Sequence, residues 1–91
     1  MSNRMTNWRE LILKAMREHG ESLGDIIANT LNEQEMGIKF PRGHKAGLEG
    51  QPFTIWTNNR VYFPAVYDGS EWVESVSRNP DGKATHHIGG E

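Results

Sequence analysis

The stretch from Gln51 to Pro80, QPFTIWTNNRVYFPAVYDGSEWVESVSRNP, constrains the fold more than any other part of the chain. Two turn signals, Asn58-Asn59 and Asp68-Gly69, divide segments rich in β-branched and aromatic residues. Six of the eight aromatic residues fall inside it: Phe53, Trp56, Tyr62, Phe63, Tyr67 and Trp72. A two-residue turn at Asn58-Asn59 sets Thr57 opposite Arg60, Trp56 opposite Val61 and Ile55 opposite Tyr62. One face of the resulting hairpin carries Trp56, Val61, Phe63 and Ala65, and the other carries Phe53, Ile55, Tyr62 and Val66. Both are partly apolar. One is expected to pack on a helix, which leaves the second to be covered by the middle segment, a partner or a ligand.

Pro64 interrupts this pattern. It has no N–H to give to a ladder, so a bulge or bend near Phe63-Pro64 is expected, or else a sheet edge at that point. Asp68-Gly69 admits a two-residue loop or a three-residue loop that includes Ser70. The choice decides whether Trp72 or Val73 shares a face with Phe63.

The helix comes from the N-terminal part. Asn7 to Glu10 reads as a capping box, with Thr6 as an alternative cap. Trp8, Leu11, Ile12, Ala15, Met16 and His19 then recur at helical spacing, and Gly20 supplies the stop, giving a helix over about residues 7–19. Between Gly24 and Phe40 the signals are mixed. Asp25 to Leu31 has the composition of a short strand, and Thr30-Leu-Asn-Glu matches a capping box that would start one helical turn over Asn32–Met36. Gly37 breaks that turn, and Ile38-Lys39-Phe40 alternates like a strand. Pro41 to Gly50 reads as a surface loop. The fold class that follows is α+β: one domain over residues 1–91, with the N-terminal helix packed on an antiparallel sheet of three to five strands. Residues 1–5 and 84–91 are expected to fray.

Composition narrows function by exclusion. There is no cysteine, which removes disulfides, thiolate zinc sites and thiol catalysis. No apolar run approaches the ~18 residues of a membrane helix, and no signal-peptide core follows Met1–Thr6, so a cytoplasmic protein is expected. Ten Lys and Arg against twelve Asp and Glu lower the expectation of nucleic acid as the main partner, because phosphate neutralisation calls for basic excess. A core this small often recruits a second subunit, so a homodimer is among the partners to look for.

No catalytic set emerges. His86 and His87 are adjacent and would diverge in a strand, and His44 could join them only through the fold, so no metal site is expected. Asp68 reads as a turn residue, and Glu71 and Glu74 as solvent-facing strand positions. Ser70, Ser75 and Ser77 lack a nucleophile elbow. The glycine-rich RGHKAGLEG lacks the Gly-Lys-Ser/Thr ending of a phosphate cradle. Neither an enzyme nor a cofactor is expected.

Binding has more support. Trp56, Tyr62 and Trp72 are rigid, amphipathic side chains of the kind that anchor interfaces. Arg42, Lys45, Arg60 and Arg78 lie in the loops and turns around them, where basic groups beside aromatics can clamp a nucleotide or a single strand. Burial in a small core is the plainer fate of each aromatic, and solvation that of each isolated cation.

The segments TNWRELILKAM, EGQPFTIWTNNRVYFPAVYDGSEWVESVSRNP and ATHHIGG resemble a family of short proteins of bacteriophages and prophages, most of them without an assigned activity. The resemblance runs from Thr6 to Gly90 and rests on WT-x-x-RVYFP, YDG-x-EWV and RNP. The family is acidic around the glycine-rich loop, whereas here Lys39, Arg42, His44 and Lys45 make it basic. The resemblance implies an accessory protein that binds a host, phage or defence protein stoichiometrically, without chemistry, in the cytoplasm of the bacterial host. Two readings remain beside it: sequestration of a small nucleotide signal, and single-stranded nucleic-acid binding.

Overall fold

A computed structural model describes residues 5–41, 51–67 and 70–88. Its main helix, α1, spans Trp8–Glu18. The Asn7 side chain accepts the Glu10 N–H at 2.9 Å, while the Glu10 carboxylate accepts the Thr6 hydroxyl at 3.2 Å. Asn7 is therefore the N-cap, and the expected capping box is only half made: the Glu10 carboxylate engages the Thr6 hydroxyl, which satisfies no backbone donor of the helix start. Trp8, Leu11, Ile12, Ala15 and Met16 face the core, as their spacing requires. His19, read as the end of that stripe, is instead exposed and serves as the C-cap. Gly20 follows with φ +71°; its N–H donates to the Arg17 carbonyl and the Glu21 N–H to that of Met16. This paired arrangement closes the helix with a left-handed residue that glycine adopts without Cβ strain.

The main sheet has strand order β2-β4-β5-β6 and is antiparallel throughout. Its strands are β2 (Ala28–Asn29), β4 (Ile55–Trp56), β5 (Arg60–Tyr67) and β6 (Ser70–Ser77). With α1 packed on it the fold is α+β, as the sequence implied. The first hairpin has the expected register, with Ile55 opposite Tyr62 and Trp56 opposite Val61. In the second, Tyr67 pairs with Ser70, so only Asp68 and Gly69 separate the paired ends. Trp72 is thereby placed opposite Ala65, on the same face as Phe63.

No bulge occurs at Pro64, which pairs with Val73 in an unbroken register from Arg60–Ser77 to Tyr67–Ser70. The edge alternative accounts for it. The Arg60 carbonyl accepts the Thr57 N–H on the β4 side, so by alternation Tyr62 and Pro64 present their backbone groups to that side too. β4 pairs only as far as Tyr62, and the missing proline N–H falls where no strand needs it.

The middle segment is broken more finely than its sequence suggested. Leu23–Asp25 forms a 3₁₀ turn, and only Ala28–Asn29 joins the sheet. Helix α2 is Glu33–Gly37, with Gly37 inside it, and its capping box is Asn32/Glu35 rather than Thr30/Glu33. Asn32 accepts the Glu35 N–H at 2.7 Å and Glu35 returns the bond at 2.8 Å. The Asn32 frame wins because it leaves Leu31 and Met36, the residues before the cap and at the fourth helical position, both buried in the core. A separate two-stranded ladder joins β1 (Met5–Thr6) to β3 (Phe40–Pro41), so pairing begins one residue inside the stretch expected to fray.

The core lies between α1 and one sheet face. Trp8 is its hub: its ring meets Phe53 edge-on at 4.8 Å and Phe40 at 5.0 Å, and its indole N–H donates to the Gln51 carbonyl. Ile12, Met16, Ile55, Tyr62 and Val73 complete the contact between helix and sheet. No helix among the described residues is long and apolar enough to cross a membrane.

Candidate functional site

Three features of the surface bear on function. The first starts at Glu21, immediately after the glycine that ends α1. Its carboxylate accepts the Tyr62 hydroxyl at 2.6 Å, the Thr57 hydroxyl at 2.9 Å and the Asn59 side-chain amide at 3.4 Å. The Thr57 oxygen also accepts the N–H groups of Asn59 and Arg60, shaping the turn between β4 and β5. Burial, and then the Glu21 carboxylate beside it, push the Tyr62 hydroxyl well above the ordinary tyrosine range. The hydroxyl therefore stays protonated and acts as a donor that pins the helix end to the hairpin.

This pin corrects the role expected of Tyr62. The side chain is fully buried, so it belongs to the core and cannot anchor a partner. Trp56 and Trp72 differ from it. Both are half-buried and belong to the set that alternates away from α1, although Trp72, on the edge strand β6, also lines a hollow with Leu11, Lys14, Ala15 and Glu18 of α1.

That outer face is the second feature. Trp56, Val61 and Val76 form a row across β4, β5 and β6, followed along the sheet by Phe63 beside Glu74 and by Ala65 beside Trp72. None of these residues belongs to the core cluster. Ala65 is buried by its neighbours, while the other apolar members are half-buried and Tyr67 beyond them is exposed. The Trp72 indole donates to the Glu74 carboxylate at 2.8 Å, which fixes the ring across the face. Strand alternation had already grouped Trp56, Val61, Phe63 and Ala65; Val76 and Trp72 join them through the two-residue spacing of the second hairpin.

The third feature is a groove of about 740 Å³ at the opposite end of β5 and β6, where α1 ends and the chain leaves β6. Arg60, Arg78, Lys83 and His19 line it. Arg60 and Arg78, expected beside the aromatics, are thus brought together here. Arg60 shares the helix-bearing face with Tyr62, so the interleaved aromatic and basic surface read from the sequence resolves into two separate surfaces. Arg42, Lys45 and His44 lie outside the described residues. Sequence reasoning missed Glu21 and Lys83; Glu21 carries no local signal beyond following the helix stop, and Lys83 none beyond a turn-rich context. Among the described residues, no group of three or more His, Asp or Glu side chains converges on a point that could hold a metal ion. Comparison with protein-family models, curated proteins and solved structures finds no match for this chain.

Proposed function

We propose that the protein acts by stoichiometric binding to another protein, through the outer face of its sheet, and carries out no chemistry of its own. The observation that carries this reading is the Trp56–Val61–Val76 row with Phe63 and Trp72 beside it. It is an apolar, aromatic surface across three strands, outside the core and on the side away from α1. Contiguous apolar surface of this kind marks interaction sites more often than isolated exposed residues do. Trp56 and Trp72 are the anchors, and Glu74 at the centre supplies a polar group of the sort that orients a partner. The resemblance to phage and prophage proteins supplies the setting: an accessory role against a host or defence protein in the bacterial cytoplasm.

The test uses the full chain with a photo-crosslinking residue at Phe63 and, as control, at Gln34, an exposed position on α2. Adducts from host lysate are expected at Phe63 and not at Gln34. The captured protein, once purified, should form a complex of fixed stoichiometry by light scattering. Trp72→Ala and Trp56→Ala should each weaken that complex by about 30-fold, the effect of losing an interface anchor worth about 2 kcal/mol. Adducts that do not depend on position, or tryptophan variants that bind like the wild type, would sink the reading.

A further inference from the structure

The groove between the end of α1, the start of β5 and the chain beyond β6 has a charge balance unlike that of the rest of the molecule. The chain carries a net charge of −2, yet Arg60, Arg78 and Lys83 all line this one hollow. Among the described residues Asp81 is the single carboxylate on its wall, and its Oδ1 accepts the Lys83 backbone N–H at 2.9 Å. Glu21 borders the adjoining hollow, where the hydroxyls of Tyr62 and Thr57 engage it.

Arg60 is the informative residue. It is half-buried, and its guanidinium is held by Ser75, with Nε donating to Oγ at 2.7 Å and Nη2 to the carbonyl at 3.4 Å. Arg78 is held in the same way, its Nη1 donating to the Thr57 carbonyl at 2.9 Å. Both guanidiniums are therefore positioned by neutral groups. The ion pair Arg9–Glu33 is far from the groove in sequence and on the exposed surface. Holding two arginines beside a lysine, with one described carboxylate, Asp81, on the same wall, leaves an excess of positive charge that costs repulsion and, for Arg60, desolvation. An anion that enters the groove relieves both.

We propose that this groove is a binding site for a small phosphate monoester, the phosphate taken by Arg60 and Arg78 with Lys83 completing the charge. Planar guanidiniums match phosphate oxygens two at a time, and an ammonium adds a point charge. The volume lies within the range of about 300–1,000 Å³ typical of small-molecule sites, which leaves room for an organic group beyond the phosphate. The His19 ring at the rim, 6.4 Å from that of Tyr62, offers a flat surface for that group. A nucleic-acid strand fits less well. It needs a basic track along its backbone, whereas this groove is bounded and the chain as a whole is acidic. The site lies at the other end of β5 and β6 from the hairpin tip, and its test does not depend on the outer sheet face.

The experiment measures binding to the full chain by calorimetry and by thermal shift. The probes are adenosine 5′-monophosphate, ribose 5-phosphate, inorganic phosphate, adenosine and a short single-stranded oligonucleotide. At least one of the two monoesters should bind with a Kd below about 1 mM and raise Tm, while adenosine should do neither. Adenosine monophosphate binding tighter than ribose 5-phosphate by about tenfold identifies a nucleotide site, and equal affinities identify a sugar-phosphate site. Arg78→Gln and Lys83→Gln should each weaken the monoester by at least about fivefold, while Lys39→Gln, the same charge change elsewhere, should leave it unchanged. Arg78 and Lys83 are exposed, Arg78 gives up one bond to the Thr57 carbonyl, and among the described residues no side-chain bond holds Lys83, so these variants should keep the wild-type circular dichroism. Several results overturn the proposal: no monoester binding up to about 10 mM, Arg78→Gln and Lys83→Gln that bind like the wild type, inorganic phosphate bound as tightly as its esters, or an oligonucleotide bound far more tightly than either monoester.

Discussion

Replacing Tyr62 with phenylalanine removes one hydroxyl and tests the pin between α1 and the sheet. The ring is fully buried among Ile12, Met16 and Ile55, and phenylalanine keeps that packing. What is lost is a 2.6 Å bond to a carboxylate, and hydrogen bonds to charged groups contribute about 1.5–3 kcal/mol. Glu21 keeps the Thr57 hydroxyl and the Asn59 amide, so no buried charge is stranded and the loss should sit near the lower end. We expect about 2 kcal/mol at pH 7, read as a shifted urea midpoint at unchanged m, and a Tm lower by roughly 8–16 °C. A second readout separates this bond from a packing defect. Burial and Glu21 raise the Tyr62 hydroxyl above its unfolded value near 10, so above that pH the unfolded chain releases a proton that the folded chain retains. The stability from this group is complete below about pH 10 and falls above it, by about 1.4 kcal/mol at pH 11. The phenylalanine variant has no such proton, so the gap between wild type and variant should narrow by that amount between pH 9 and about pH 11. A gap that stays constant over that range, or a variant as stable as the wild type at pH 7, would refute the pin.

Three other substitutions probe single elements. Gly20→Ala should cost about 1–2 kcal/mol in urea unfolding, because φ is +71° and an added Cβ meets nothing within 4 Å, so backbone strain is the only term; a neutral result would show that the helix ends in another way. Pro64→Val should change stability by less than about 1 kcal/mol, since the proline faces the side that β4 leaves open; a loss of several kcal/mol would mean that the ring shapes the strand. Arg9→Ala should cost no more than about 0.5 kcal/mol, because its Glu33 partner has 88% of its side chain exposed, and a larger loss, compared at low and high salt, would give the pair a structural role.

The elements readable from the sequence are those whose determinants are close in the chain. Asn7, the apolar stripe and Gly20 specify α1 within about four turns, and Asn58-Asn59 between alternating segments specifies the first hairpin and its register. Where two frames fit equally well, local reading stalls. Thr30/Glu33 and Asn32/Glu35 are both capping boxes, and only the burial of Leu31 and Met36 in a core built by distant residues decides between them. Glu21 shows the same limit. Its partners Thr57, Asn59 and Tyr62 are more than thirty residues away, so no spacing rule connects them. The candidate sites divide along the same line. The outer face follows from alternation alone, whereas the groove depends on how the chain beyond Ser77 folds back. There the Arg78 N–H donates to the Asn59 carbonyl, and the Asn79 amide to that of Asn58.

The dimensions of the elements explain why an apolar face is left over. The eleven residues of α1 span about 16 Å at 1.5 Å per residue. The eight-residue strands β5 and β6 span about 26 Å at 3.3 Å per residue. One helix of that length cannot reach along the whole of one sheet face, and it covers none of the other. The shortfall appears at the hairpin tip, where Val66 is 38% and Tyr67 54% exposed although their strand is paired throughout. Apolar surface therefore runs from the Trp56 row along the outer face as far as Tyr67. The Trp56 row, however, lies at the groove end of the strands, one residue from Arg60 and Ser77, and Val76 lines the groove itself, so a protein seated on the whole outer face reaches the edge of the phosphate site. The two proposed sites are therefore neighbours, and a monoester that changes affinity for the protein partner can act through the end of β6 that they share, at Val76.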